Sequence, residues 1–225
     1  LAKKKGLFVS LEGPDGSGKS TQAVLLAKAL RRRGRRVLLT REPGGSPRAA
    51  RIRALLLDPA LRGLDPGAEL LLFAADRRQH VRDTIRPALD RGACVLCDRF
   101  SDSTIAYQGA GRALPLREVR TVCRIAADGL RPDLTLLFDL PVAEGLKRAR
   151  RSKGGLDRME RSSAPYHRRV RRGFLDLARR EPGRVKLIRV PGRTPRDIAA
   201  EALAHVEGLL GKRAVRPARK PKETL

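Results

Sequence analysis

The run Gly13, Pro14, Asp15, Gly16, Ser17, Gly18, Lys19, Ser20 constrains this chain more than any other feature. It fits G-x-x-x-x-G-K-[ST], and its context fits too: an apolar strand-like run, 6–11, precedes it and a helical pattern follows. Ala23, Leu26, Ala27 and Leu30 fall at i, i+3, i+4 and i+7, which predicts a helix over 19–33 with one apolar face. Gly34 then stands where a C-capping glycine belongs. In such a unit the glycines let backbone N–H groups turn inward around phosphate oxygens, and the helix adds its positive end. Lys19 reaches the outer phosphates and the Ser20 hydroxyl suits Mg²⁺. The loop therefore predicts nucleoside triphosphate binding.

The rest of the chain alternates strand-like and helical runs, the mark of an α/β domain with a parallel sheet. Strands are expected at 6–11, 36–40, 93–97, 134–139 and 185–190, each apolar enough to be buried on both faces. Further helices are expected at 49–57, 68–81, 116–129, 142–151, 167–180 and 195–210. One domain over 1–211 fits the length of 225 residues. The last stretch, 212–225, holds six basic residues, two prolines and little to bury, which predicts a disordered tail.

Charge is the other pronounced feature. Lys and Arg total 50 against 24 Asp and Glu, a formal +26, and 39 of the 50 are Arg. Such a balance favours anionic partners: nucleic acid, a membrane surface or a phosphorylated small molecule. Aromatics are only 3% and do not interleave with the basic residues, so a single-strand stacking platform is not indicated. Cys94 and Cys97 form a C-x-x-C, but no second pair exists and the run around them is apolar, so core packing is the better reading than metal or redox chemistry. No apolar run approaches the roughly 20 residues of a membrane span. The opening Leu1-Ala2-Lys3-Lys4-Lys5 does not read as a signal peptide, which predicts a cytoplasmic protein without membrane partners.

A phosphate loop serves kinases, GTPases, motors and DNA-bound ATPases. The chain has no N-K-x-D base-reading motif and little room for a motor, which leaves a small-molecule kinase or a nucleic-acid ATPase. Ligands of an open parallel sheet gather at the carboxyl ends of its strands. Two charged motifs fall there: 40–45, with Arg41, and 98–103, with Asp98, Arg99 and Ser103. Each Arg can fork onto a phosphate, and Asp98 can hold the Mg²⁺ water shell or orient the reacting phosphate. On the helix over 68–81, Phe73 and Arg77 share a face, so a ring and a guanidinium can meet one flat base.

Together these motifs resemble the thymidylate kinase family of nucleoside monophosphate kinases. The agreeing segments are 8–21, 40–45, 71–77 with Gln79 and His80, 97–104 running into 106–109, 131–135 and 157–160, in the family's order and across about residues 6–210. The resemblance implies a three-layer P-loop kinase fold, with a five-stranded parallel sheet between helices and a small mobile lid over about 147–160. It implies ATP-dependent phosphorylation of dTMP to dTDP, with Mg²⁺, in a homodimer without specific nucleic-acid binding. It makes Phe73 the thymine-stacking ring, Arg77 the thymine-reading Arg and Gln108 a neighbour of the base. Tyr107 becomes the residue under the sugar that disfavours a 2′-OH, Asp15 a contact to the sugar or acceptor phosphate, and Arg41, Arg99 and Ser103 part of the dTMP site. ATP falls to 13–21, Thr21 included, with Arg148; the metal falls to Ser20 and Asp98.

From 147 to 172 there are 11 basic residues and only Asp157 and Glu160 acidic, with Gly154 and Gly155 as a hinge. Phosphoryl transfer spreads negative charge over equatorial oxygens, and a mobile arginine-rich loop can stabilise it while excluding water. The P-loop has no Arg, and family forms of that type place the catalytic Arg in the lid. Arg148, Arg151, Lys153 and Arg158 are the candidates, beside Lys19, Arg99 and Asp98 as catalytic groups. The rivals are another nucleoside monophosphate or deoxynucleoside kinase, and a nucleic-acid-binding P-loop ATPase.

Overall fold

A computed structural model describes residues 6–61, 63–152 and 162–215. Five parallel strands form one sheet in the order β2-β3-β1-β4-β5: β1 Leu7–Glu12, β2 Val37–Arg41, β3 Cys94–Asp98, β4 Leu134–Asp139 and β5 Val185–Arg189. Chain order reverses direction on either side of β1, so a crevice opens beyond its carboxyl end. The phosphate loop leaves β1 at that point. All six residues of β1 are buried, as expected of a central strand, and β3 and β4 are nearly so. The expectation of two-sided burial fails for β2 and β5, which are half-exposed because they are the sheet's edges.

Helix α1, Lys19–Arg32, buries Ala23, Leu26, Ala27 and Leu30 against the sheet. Full burial of each Leu stabilises by about 2 kcal/mol. The helix ends as its sequence predicts. Gly34 lies at φ 71°, its N–H reaches Arg31 O at 2.9 Å, and Arg35 N–H reaches Leu30 O at 3.1 Å, the paired bonds of a Schellman cap. Helix α9, Pro195–Val215, packs beside α1: Gln22 Nε2 donates to Pro195 O at 3.0 Å near their starts, and Arg33 pairs with Glu207 further along. It runs into the stretch expected to be tail, so that tail starts no earlier than 216; 216–225 lie outside the described residues.

The other face carries α2 Pro47–Leu57, α3 Pro66–His80, α4 Arg86–Asp90, α5 Ser101–Thr104, α6 Leu116–Ala126 and α8 Ala164–Arg180. Helix α6 stops before the expected 129, because Asp128 and Gly129 take positive φ. Asp65 opens α3, its Oδ1 accepting from Gly67 N at 2.8 Å and Ala68 N at 3.0 Å. Helix α5 continues as a π-helical stretch, Ile105–Gly111, that the sequence reading did not foresee. Helix α7, Val142–Ser152, covers the start of the stretch expected to form a lid; the rest of that stretch, with Lys153 and Arg158, lies outside the described residues. Cys94, Cys97 and Cys123 are free and buried, as the packing reading requires.

Candidate active site

The crevice at the carboxyl ends of β1 and β3 is a cleft of about 820 Å³, large enough for two nucleotides end to end. The phosphate loop forms its floor. Gly13 sits at φ 143°, where a Cβ would lie 2.3 Å from Phe138 O, so no side chain fits there. Gly16 is filled in the same way: its Cβ would lie 2.1 Å from Gly145 O, on helix α7. The loop and helix α7 thus touch backbone to backbone. Arg148, one turn beyond Gly145, lines the cleft with Ala149, whereas Arg151 is exposed and outside the lining.

Lys19 is buried, with Nζ 2.8 Å from Pro14 O. Burial, helped by the charge of Arg99, brings its ammonium down to about 8. An anionic phosphate would reverse that penalty. Ser20 Oγ donates to Asp98 Oδ2 at 2.5 Å, so the two groups assigned to a metal stand together at the cleft. Their oxygens are the hard donors that suit Mg²⁺ beside substrate phosphates.

Arg99 is a hub of hydrogen bonds beside the loop. Its φ of 72° is a left-handed conformation that non-glycine residues rarely hold, and it persists because its surroundings fix it. Its N–H reaches Leu11 O at 3.0 Å, and the next N–H, of Phe100, reaches Glu12 Oε1 at 2.7 Å. The guanidinium donates to Gly13 O at 3.2 Å, Ser103 Oγ at 3.1 Å, Asp15 Oδ1 at 2.5 Å and Tyr107 Oη at 3.0 Å. Tyr107 Oη in turn donates to Asp15 Oδ2 at 2.8 Å. Burial works to raise the Asp15 carboxyl, but Arg99, Lys19 and the Tyr107 hydroxyl hold it below the ordinary carboxylate range. Beneath them Ser103 Oγ donates to Glu12 Oε2 at 2.6 Å; burial, and then the charge of Asp102, pushes the Glu12 carboxyl up to about 8.

At the far end Arg77 is buried, with Nε 2.8 Å from Glu42 Oε2 and Nη2 3.0 Å from Thr104 Oγ1. Its guanidinium lies 5.1 Å from the centre of the Phe100 ring. Glu42 Oε1 faces His80 Nδ1 at 3.0 Å, and His80 Nε2 faces Thr40 Oγ1 at 2.8 Å. Burial alone would lower the Arg77 pKa, but Glu42 overrides it and keeps the guanidinium charged. Phe73 is half-buried and Gln108 buried; both line the cleft on the same side as Arg77. Gln108 Nε2 is anchored on Glu69 Oε1 at 3.0 Å. Arg41 lines the mouth and is exposed.

The structure therefore gathers Asp15 through Thr21, Arg41, Phe73, Arg77, Asp98, Arg99, Ser103, Tyr107, Gln108 and Arg148 in one cleft. Pro14 O takes part through Lys19, and Gly13 through Arg99. Sequence reasoning passed over Glu42, Arg53, Thr104 and Arg193, which also line it. Glu42 was within reach, since it sits inside the singled-out 40–45 motif. Arg53 carried no signal among 39 Arg; its position comes only from α2, with Nη1 donating to Pro43 O at 2.8 Å.

Among the described residues no helix is long and apolar enough to cross a membrane. A sequence model of the thymidylate kinase family matches residues 11–195. The chain is 52% identical over 180 residues to thymidylate kinase of Deinococcus radiodurans, covering 80% of this chain and 86% of that one. It is 51% identical over 202 residues to thymidylate kinase of Pseudomonas fluorescens, covering 90% and 91%. The crystal structure of thymidylate kinase from Ehrlichia chaffeensis superposes with a TM-score of 0.74 at 33% identity, covering 90% of this chain and 99% of that one. A phosphate loop, Arg99 and the Phe73–Arg77 pair in one cleft agree with that likeness, and the chain belongs to the thymidylate kinase family.

Proposed function

We propose that the protein transfers the γ-phosphoryl group of ATP to dTMP, forming dTDP. The observation that carries this is the set of groups that share one cleft: Lys19 with its loop, Arg99 hydrogen-bonded to that loop through Gly13 O and Asp15 Oδ1, and Phe73 with Arg77. A triphosphate on the loop and a monophosphate on Arg99 would meet between them. Arg77 offers only N–H donors, which suits the O4 acceptor of thymine and opposes the N4 amino group of cytosine. Tyr107, tied to Asp15, stands where the sugar would pass.

The acceptor phosphate is already a nucleophile at neutral pH, so the reaction needs no general base. Lys19, brought to about 8 in the free protein, regains full charge against the triphosphate and stabilises the charge that develops on transfer. Arg99 aligns the acceptor; Arg148 reaches the donor side from α7. Arg151, Lys153 and Arg158 are proposed to complete the lid's charge when it closes. Ser20 and Asp98 would hold Mg²⁺, whose chemistry is neutralisation of the outer phosphates.

We further read the chain as one domain and as a cytoplasmic homodimer. Leu71 of α3 and Ile125 of α6 are 62% and 61% exposed, an apolar surface that a second copy would cover. A Leu71→Glu/Ile125→Glu variant should then become monomeric by light scattering. The activity test is an acceptor screen with purified protein and MgATP. Formation of dTDP in preference to phosphorylated dCMP, AMP or dUMP is expected; a preference for dCMP or AMP would overturn the reading.

A further inference from the structure

The +26 charge is larger than the cleft requires, and the fold concentrates part of it at one place. Helices α1 and α9 both begin at the cleft, where Lys19 and Pro195 line it, and both run away from it side by side. Their lengths of 14 and 21 residues carry the chain about 20 and 30 Å to the opposite pole. There α1 ends in Arg31 and Arg32, and the turn into β2 adds Arg33, Arg35 and Arg36, all exposed. Arg91, also exposed, joins them, because its carbonyl accepts from the Arg36 guanidinium. Against these six guanidiniums stand Glu207 and Asp90. Among the described residues, Arg33 is the one of the six with an ion-pair partner, Glu207. Arg31 and Arg36 donate to the carbonyls of Val37 and Arg91, which hold the side chains without neutralising them. Helix α9 continues eight residues past Glu207. Residues far apart in sequence, 31–36 and Arg91, thus meet at the pole.

We propose that this pole is a sequence-independent docking surface for the phosphodiester backbone of nucleic acid. The pole is mostly Arg, whose planar fork matches phosphate oxygens. It holds no aromatic residue over 28–36 or at 91, so these residues offer nothing to stack on a base. It also lacks the large apolar face by which a helix enters a lipid interface. Lying at the far end of α1 and α9, it leaves the cleft open, so a bound duplex and turnover are compatible.

The test is anisotropy of a labelled 24-base-pair DNA duplex with the full chain, titrated at about 50–200 mM NaCl. The wild type should bind with affinity falling steeply in salt and with no preference between two unrelated sequences. Arg31→Ser/Arg32→Ser/Arg35→Ser/Arg36→Ser should lose about tenfold or more in affinity and flatten the log–log salt slope by about three, while dTMP turnover stays unchanged. A control that removes the same charge from α8, Arg168→Ser/Arg172→Ser/Arg179→Ser/Arg180→Ser, should lose clearly less. Equal losses in the two variants would mean diffuse charge and overturn the proposal. So would no wild-type binding at low salt, or tighter binding to vesicles containing 30% phosphatidylserine than to the duplex.

Discussion

Glu42 and Arg77 form a buried ion pair at 2.8 Å, each side chain only 3% exposed. Glu42 spends its second oxygen on His80, and Thr40 holds the far side of that ring. A guanidinium so held has one pose. Glu42→Gln weakens that hold and should raise KM for dTMP about tenfold, leaving KM for ATP unchanged. Glu42→Ala leaves a buried charge alone and should cost about 3–5 kcal/mol of stability in denaturant titration. An unaltered KM for dTMP in Glu42→Gln would show that Arg77 needs no such support.

Lys19→Ala removes a buried ammonium whose protonation the free protein already opposes. Turnover should fall by about 10²-fold or more, with circular dichroism and thermal midpoint preserved. Near-normal kcat in steady-state assays would sink the phosphate-loop assignment.

Gly145→Ala would ordinarily favour a helix by up to about 1 kcal/mol. Here the added Cβ would lie 2.5 Å from Asp15 O, backbone against backbone. The variant should therefore push α7 off the phosphate loop, lowering kcat and raising KM for ATP while KM for dTMP holds. Gly208→Ala on α9 meets nothing within 4 Å and serves as the control, with wild-type kinetics expected.

Stability should fall as pH rises from about 5 to 8. Burial, then the charge of Asp102, lifts Glu12 from 4.5 to about 8; burial, then the charge of Glu42, lifts Asp76 from 3.8 to about 7. Across that window the folded chain binds more protons than the unfolded one, so each further rise in pH favours unfolding. Glu12→Gln should flatten the profile. A wild-type midpoint that climbs between pH 5 and 8 would contradict this account.

Much of the active site was legible because its chemistry is local. Residues 13–20 form a strand-to-helix turn whose glycines, Lys and Ser are contiguous, and every strand fell within one or two residues of its expected place. Groups defined by tertiary neighbours were harder to read. Glu42 looked like one more charge after β2 until α3 brought Arg77 and His80 to it across 35 and 38 residues. The helix from Ser101 through Gly111 was not among the expected elements for a different reason: Gly109 and Gly111 are poor helix formers. Its polar Ser103, Thr104, Tyr107 and Gln108 fall at helical spacing but face a cleft instead of a core. Gly111 is there because a Cβ would lie 2.7 Å from the Tyr166 ring. Edge exposure of β2 and β5 depends on strand order, which hydrophobicity does not encode.

Arg99 enters the reaction already immobilised. In the free protein its donors are occupied by Asp15, Ser103, Tyr107 and Gly13, so the Asp15 carboxylate acts as an internal understudy for the incoming anion. A free arginine side chain would surrender about 2 kcal/mol of rotamer entropy on being ordered, and here folding has absorbed that loss before any ligand arrives. What binding must do instead is exchange partners, displacing an aspartate that is itself held ionised. If Arg99 holds the acceptor as proposed, the site favours ligands with enough negative charge to win that exchange, so a nucleoside lacking its phosphate would find the arginine already taken.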